Sequence, residues 1–225
     1  MSPNAKVSLT VVAVVAAVVT LLVLFTRNDA PTRQASTDAA GAAPTIPASV
    51  LVRPDSHKLS TAADGKVTVV EFLDLECEAC GAAYPHVEKL RAEYGDRITL
   101  VIRYFPLPGH LNAELAARAV EAAGKQGKLE PMYKKMYETQ AQWGDQGVDH
   151  RDTFLGFARE LGLDMATFER DLDDPTTVNR VRADLEDGVS VGVRGTPTFF
   201  INGVRFQGPP TYDGLKAEID TALTR

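Results

Sequence analysis

Val67-Thr68-Val69-Val70-Glu71-Phe72-Leu73-Asp74-Leu75-Glu76-Cys77-Glu78-Ala79-Cys80 is the stretch from which the fold can be read. Val67 to Leu73 is an apolar, β-branched run suited to a buried strand, and its one misfit is the carboxylate of Glu71. Downstream, Ala79, Ala83, Val87, Leu90 and Tyr94 recur at helical spacing until Gly95 ends the pattern. Ile98 to Tyr104 is a second β-branched strand. A strand-helix-strand unit in one sheet should be parallel with a right-handed crossover, which places the helix N-terminus, and so Cys77, at the carboxyl end of the first strand.

Between residues 107 and 190 the pattern is helical only, with Leu115, Ala119 and Ala122, then Met132, Met136 and Tyr137, then Phe154, Ala158 and Leu161, and later Phe168, Leu172, Val181 and Leu185 on apolar faces. Asp149, Asp164 and Asp174, the last followed by Pro175, supply N-cap signals. Methionines and aromatics at these spacings read as core packing and not as a cofactor site. Strand chemistry returns with Thr198 to Ile201, then Asn202-Gly203 as a two-residue hairpin turn, then Val204 to Phe206. A last helix presents Tyr212, Leu215, Ile219 and Leu223 on one face, and Val50 to Arg53 reads as a weak extra strand at the start. The fold class is therefore α/β, ordered β-α-β, helical insert, β-β-α.

Toward the N-terminus, Val7 to Phe25 is an uncharged apolar run of 19 residues, enough to cross the ~30 Å hydrocarbon core as one helix. No small-residue cleavage pattern follows it and no cysteine precedes Cys77, so an uncleaved, unlipidated anchor is expected over residues 1–26. Residues 27–48 are rich in Ala, Pro and Thr and read as a linker of roughly 25 Å root-mean-square span. Residues 49–225 form the expected single domain, with its helical insertion at about 107–190. Three of the 24 Lys and Arg and two of the 30 Asp and Glu precede residue 49, leaving the domain a net charge of −7. With no basic cluster, a nucleic-acid surface has no electrostatic basis.

Cys77 and Cys80 are the only cysteines. A thiol at a helix N-terminus is favoured as thiolate by unpaired N–H groups and the helix dipole. Cys80, one turn inward, can then attack a mixed disulfide formed at Cys77. Three other uses of the pair compete. A structural bridge would close too small a loop to constrain the unfolded chain much. A zinc site would need two further ligands that His57, His86, His110 and His150 do not offer at paired spacing. Copper delivery by a soft thiolate pair is the third. No metal or cofactor is expected.

Glu71 to Cys80, together with the distant Gly195-Thr196-Pro197-Thr198-Phe199-Phe200-Ile201-Asn202-Gly203 and the length of helix between them, resembles the thioredoxin superfamily. The likeness covers residues 50 to 222 and is closest to the DsbA-like thiol-disulfide oxidoreductases, in which a helical domain is inserted into a thioredoxin fold. That resemblance implies that Cys77 and Cys80 form a redox-active disulfide, with Cys77 the exposed nucleophile and Cys80 the buried resolving thiol. Pro197 is similar to the family's cis-proline beside the active site, and the backbone of Thr196 would pair with a substrate chain; an ordinary trans proline at a strand entry is the competing reading. Glu71 stands where relatives keep a buried acid that moves the resolving thiol's proton, and an apolar strand should raise its pKa; a sheet-edge Glu facing water is the alternative. Pro85 matches the place where thioredoxin kinks this helix.

The dipeptide between the cysteines is Glu-Ala, unlike the Pro-His of DsbA itself. Glu78, with Glu76 before the pair, should oppose the Cys77 anion by roughly 0.7 to 2.8 kcal/mol at ~6 Å. Arg194, three residues before Pro197, would offset part of this, or is a plain surface charge. A less oxidising couple than DsbA is expected.

The apolar run and the cysteine chemistry lead to the expectation of a single-pass cell-membrane protein with an extracytoplasmic catalytic domain, and a mere tether before that domain to a monomer. By resemblance, it would form or exchange disulfides in exported cysteine-containing proteins, with a DsbB-like or vitamin K epoxide reductase-like membrane partner. A reductase or isomerase, for example in cytochrome c maturation, and a non-redox chaperone-like binding module are the alternatives. The direction of electron flow depends on the reduction potential against that partner.

Overall fold

In the computed structural model, which describes residues 44–225, the strand that carries Glu71 is the centre of the sheet. Strand β1 is His57–Ser60, β2 is Thr68–Leu73, β3 is Thr99–Tyr104, β4 is Thr198–Ile201 and β5 is Val204–Arg205. They form one mixed sheet in the order β1-β3-β2-β4-β5. β2 runs parallel to β3, with Thr68 opposite Thr99 and Leu73 opposite Tyr104. On its other side it pairs antiparallel with β4, Phe72 opposite Thr198. Every residue of β2 after Thr68 is buried, as befits a strand covered on both faces.

A four-residue helix α1, Ala48–Leu51, precedes β1, and α2, Glu78–Tyr94, crosses over from β2 to β3. The helical block comprises α3, Ala113–Lys125; α4, Leu129–Glu138; α5, Arg151–Glu160; α6, Met165–Asp173; and α7, Pro175–Ser190. Helix α8, Tyr212–Leu223, ends the fold. The Asp164 carboxylate accepts from Thr167 N and the Asp174 carboxylate from Thr176 N, so both cap their helices. At α5 the cap is His150 and not Asp149, whose carboxylate instead reaches Arg151 N at 2.7 Å. Asn202 and Gly203 turn the β4–β5 hairpin with φ of 48° and 84°, left-handed angles that the Asn-Gly pair tolerates.

Three differences from the sequence reading lie at the N-terminal side. Val50 to Arg53 is not a strand: Ala48–Leu51 is helical, and the carbonyls of Val50 and Leu51 accept from the Arg103 guanidinium at 3.3 and 2.6 Å. A buried cation that needs acceptors thus closes the end of α1. The edge strand is His57–Ser60, a run with no alternation to announce it, in which Leu59 packs on two core clusters. The folded part also starts before residue 49, because Thr45 bridges Val204 and Ile46 N donates to Gly203 O at 2.8 Å. The expected anchor and most of the linker lie outside the described residues. Among the described residues, no helix is long and apolar enough to cross a membrane.

The largest core cluster joins the insertion to the sheet. It runs from Leu73, Leu75, Cys77 and Cys80 through Tyr104 and α3 to Met132, Met136, Trp143, Phe154 and Phe168. The Met and aromatic residues read as packing are indeed buried there. Arg103, on β3, is fully buried and binds Asp184 on α7, while its second nitrogen reaches Asp187 at 2.6 Å. The sheet and the last helix of the insertion are therefore fastened by a desolvated ion pair as well as by apolar contact.

Candidate active site

Cys77 is the N-cap residue of α2, with φ −68° and ψ 120°, and Cys80 lies in the helix's first turn. Both are free thiols. Cys77 is less open than its reading as the exposed nucleophile suggested, at 7 % exposure against 1 % for Cys80. Its cover comes from the loop before β4: the Thr196–Pro197 peptide is cis, and Cys77 Sγ donates to Thr196 O at 3.5 Å. The chain's two distant motifs thus meet at one sulfur.

The two thiols are driven apart electrostatically. Cys77 is lowered to about 5 by the adjacent Cys80 thiol and, against the opposing effect of burial, by Thr196 and the backbone N–H groups of Cys80 and Ala79. The amides add the helix-N-terminus contribution, in which unpaired N–H groups favour an anion. Cys80 is raised far above the ordinary thiol range by burial first, then by the hydrogen bond to Cys77 and the charges of Glu71 and Cys77. One sulfur is a thiolate at neutral pH while the other keeps its proton.

Glu71 is 2 % exposed on the central strand, not at a sheet edge. Burial, reinforced by the charge of Glu88, raises it to about 8. Its Oε2 has no hydrogen-bond partner among the described residues. A carboxyl group with that pKa, close enough to Cys80 for its charge to act on the thiol, can hold or release a proton near neutrality.

The expected modulators are placed differently. Arg194 donates to the carbonyls of Val193 at 3.2 Å and Val189 at 3.5 Å, so its guanidinium is spent on its own loop and not on the thiolate. Glu78 is exposed in the first turn of α2. Glu76 is buried and turned away to the start of α3, where it accepts from Asn112 N at 2.6 Å and from Asp145 N at 3.3 Å. Neither carboxylate is among the main influences on Cys77, which the Cys80 thiol, Thr196 and the backbone amides lower against burial.

Three residues of this neighbourhood had been given no role. Gln140, in the one-turn helix Gln140–Gln142, donates its amide to Leu75 O at 2.8 Å and to Cys77 O at 2.9 Å. Asp74 accepts from Glu76 N at 2.8 Å and Leu107 N at 2.9 Å, and pairs with His110 Nδ1 at 2.7 Å. Asp74 was visible as an acid among apolar residues, and His110 as a loop histidine after a strand. Nothing in the sequence pointed to Gln140. Among the described residues, no group of three or more His, Cys, Asp or Glu is arranged to hold a metal ion.

A family model described as Thioredoxin matches residues 61–221, and the chain belongs to that family. The fold and its neighbours support a thiol-disulfide oxidoreductase activity in general. A thioredoxin-like oxidoreductase from Silicibacter pomeroyi is 27 % identical, with TM-score 0.66 over 80 % of this chain and 99 % of that one. BdbD from Bacillus subtilis (24 % identity, TM-score 0.63, 74 % and 92 % coverage) and alpha-DsbA1 from Wolbachia pipientis (20 %, 0.68, 77 % and 94 %) share the fold. Among curated proteins, the Na(+)/H(+) antiporter NhaA of Herminiimonas arsenicoxydans is 38 % identical over 162 residues, covering 72 % of this chain and 24 % of that protein. The antiporter NhaA 3 of Salinispora tropica is 34 % identical over 222 residues, 98 % of this chain and 33 % of that protein. The chain spans a quarter to a third of the length of these curated relatives.

Proposed function

We propose that this chain is an extracytoplasmic thiol-disulfide oxidoreductase that forms or exchanges disulfides in exported cysteine-containing proteins through Cys77 and Cys80. The observation that carries the reading is the split between the two thiols: Cys77 is lowered to about 5 at the helix cap, and Cys80 is raised and buried behind it. In the oxidising direction, a client thiolate attacks Cys77 Sγ of the disulfide, the Cys77–Cys80 bond breaks, and Cys80 leaves and takes a proton, for which Glu71 is the adjacent donor. A second client thiolate then attacks the client sulfur of the mixed disulfide and Cys77 leaves as thiolate. Two electrons pass from client to couple. Thr196 and Pro197, beside Cys77, would bind the client backbone.

The apolar run at residues 7–25 supports a single-pass membrane tether. The antiporter relatives agree with a membrane setting, since a segment similar to this chain there belongs to proteins named for transport across membranes. Ion transport itself is not carried over. Reoxidation would fall to a DsbB-like or vitamin K epoxide reductase-like membrane protein, brought close by the tether. Run in reverse against a reducing partner, the same site is a reductase or isomerase.

The test is trapping. Cys80→Ser should accumulate mixed disulfides with exported proteins through Cys77, and Cys77→Ser should accumulate none. Unchanged function in both variants would replace this reading with a non-redox binding module.

A further inference from the structure

Asp74 is the residue on which the two cysteines and a histidine converge. Its carbonyl accepts from Cys77 N at 3.2 Å, and its backbone is close enough to act on the Cys80 thiol. Its carboxylate, with a side chain 0 % exposed, takes two backbone N–H groups and His110 Nδ1. His110 follows β3 in the loop Pro106 to Asn112, and Leu107 N on that loop binds the same carboxylate, so the turn that carries the ring is held at both ends. With Nδ1 on the carboxylate, Nε2 is left as the atom that exchanges protons, on a side chain 24 % exposed.

Oxidising a client leaves a proton to be placed. A client dithiol carries two thiol protons. When it reduces the couple, Cys80 keeps one as a thiol, and Cys77, a thiolate at neutral pH, keeps none. We propose that His110, held by Asp74, takes up this second proton on Nε2 and becomes the cationic partner of the Cys77 thiolate, returning the proton when the couple is reoxidised. The balance is then closed within the site: two electrons and two protons leave the client, the electrons enter the Cys77–Cys80 bond, one proton refills Glu71, which has given its own to Cys80, and the other rests on His110. This inference rests on the redox reading of the cysteines given above.

The charges acting on the ring favour this. Burial works against protonation of His110, but the hydrogen bond to Asp74 and the charges of Asp74, Cys77 and Glu76 prevail and raise it above the ordinary histidine value. Asp74 and Glu76 are present in both redox states; the Cys77 charge appears only on reduction. Interaction between two sites is reciprocal, so a thiolate that favours the imidazolium is favoured by it equally.

The experiment compares the full chain with His110→Asn and His110→Lys. Thiolate absorbance gives the Cys77 pKa, and the pH dependence of the equilibrium with a glutathione buffer gives the protons taken up per reduction. His110→Asn should raise the Cys77 pKa by about half a unit to one unit, and make the couple less oxidising by about 3- to 10-fold in equilibrium constant. His110→Lys, which keeps a charge but does not titrate near neutrality, should restore the low Cys77 pKa. Proton uptake should rise above one per reduction in the unsubstituted chain near neutral pH and stay at one in both variants. If Asn and Lys give the same Cys77 pKa, or if proton uptake is one throughout, the inference is overturned. An unsubstituted chain that shows no Cys77/Cys80 couple with glutathione would remove the redox reading itself, a result distinct from either.

Discussion

The side-chain amide of Gln140 donates to the carbonyl oxygen of Cys77 at 2.9 Å, and the same nitrogen donates to Leu75 O at 2.8 Å. A residue of the helical insertion thus grips the backbone that presents the Cys77 thiol. Room for that grip depends on Gly81, because a Cβ there would collide with the Gln140 Oε1 and Cδ atoms.

Gly81→Ala should therefore destabilise the chain, although Ala in place of Gly within a helix ordinarily stabilises by about 1 kcal/mol. Displacing Gln140 leaves the Leu75 carbonyl short of a donor and the Cys77 carbonyl with the Gly81 N–H alone, at a cost of about 1–3 kcal/mol. Urea unfolding of Gly81→Ala and of Gln140→Leu measures it; a stabilised Gly81→Ala would show that the amide grip is dispensable.

Asp184 accepts from the Arg103 guanidinium and from Tyr104 N at 3.1 Å, and its carboxylate, without solvent, also forms an ion pair with Arg180 at 2.7 Å. Removing one partner of a buried pair strands the other, so Asp184→Ala should cost about 3–5 kcal/mol. Replacing Arg103 and Asp184 together by Met and Leu should cost less than the single change. Denaturation midpoints of the two variants decide the point.

Stability of the reduced protein between pH 5 and 8 should be flat for an unusual reason. Glu71 is raised from 4.5 to about 8 on folding, so the native state holds a proton that the unfolded chain has lost, and this contribution falls as pH rises through that window. Cys77 is lowered from 9.0 to about 5, so its contribution is complete above pH 9 and is lost as pH falls toward 5. The two slopes oppose each other. Cys77→Ser should uncover the Glu71 decline, about 1 kcal/mol per pH unit from pH 5 to 8, and adding Glu71→Gln should leave only the smaller decline that the raised His110 contributes at the upper end of the window. Unfolding curves at unit pH intervals would contradict this if Cys77→Ser alone were level.

Alkylation should discriminate between the thiols. In the reduced chain the rate at Cys77 should rise with a midpoint near pH 5, following its thiolate, while Cys80 stays unmodified at neutral pH. Peptide mapping after a short pulse of iodoacetamide reads both; equal labelling would mean that burial does not protect Cys80.

Glu78→Gln should lower the Cys77 pKa by less than about half a unit, since Glu78 is exposed and its charge is screened by water. Thiolate absorbance of the two forms tests it, and a drop of a full unit or more would restore Glu78 as a main determinant of the couple.

Much of the site could be read from local sequence because its elements are local. An apolar run followed by helical spacing puts Cys77 at a helix start, and hydrophobic periodicity needs only neighbours a few residues apart. The helical block and the Asn-Gly hairpin were legible for the same reason. What failed was either too short to carry a period or fixed by a distant partner. Ala48–Leu51 is helical where a strand was expected, its last carbonyls satisfied by Arg103, and the HKLS run of β1 shows no alternation. Arg194 looked like a counter-charge by its place near Pro197, but a side chain's reach is set by its own loop, whose carbonyls it binds.

The sequence by itself determined most of the chain's elements, the Cys-x-x-Cys pair at a helix mouth and an acid in a strand core, because backbone propensity and side-chain periodicity act over one or two turns. Tertiary structure alone decided what surrounds the cysteines: Thr196, from 119 residues away, at the Cys77 sulfur, Gln140 of the insertion at the Cys77 carbonyl, and the pairing of Asp74 with His110 across two connections. Electrostatic and hydrogen-bond energies depend on distance through space, and separation along the chain does not encode that distance.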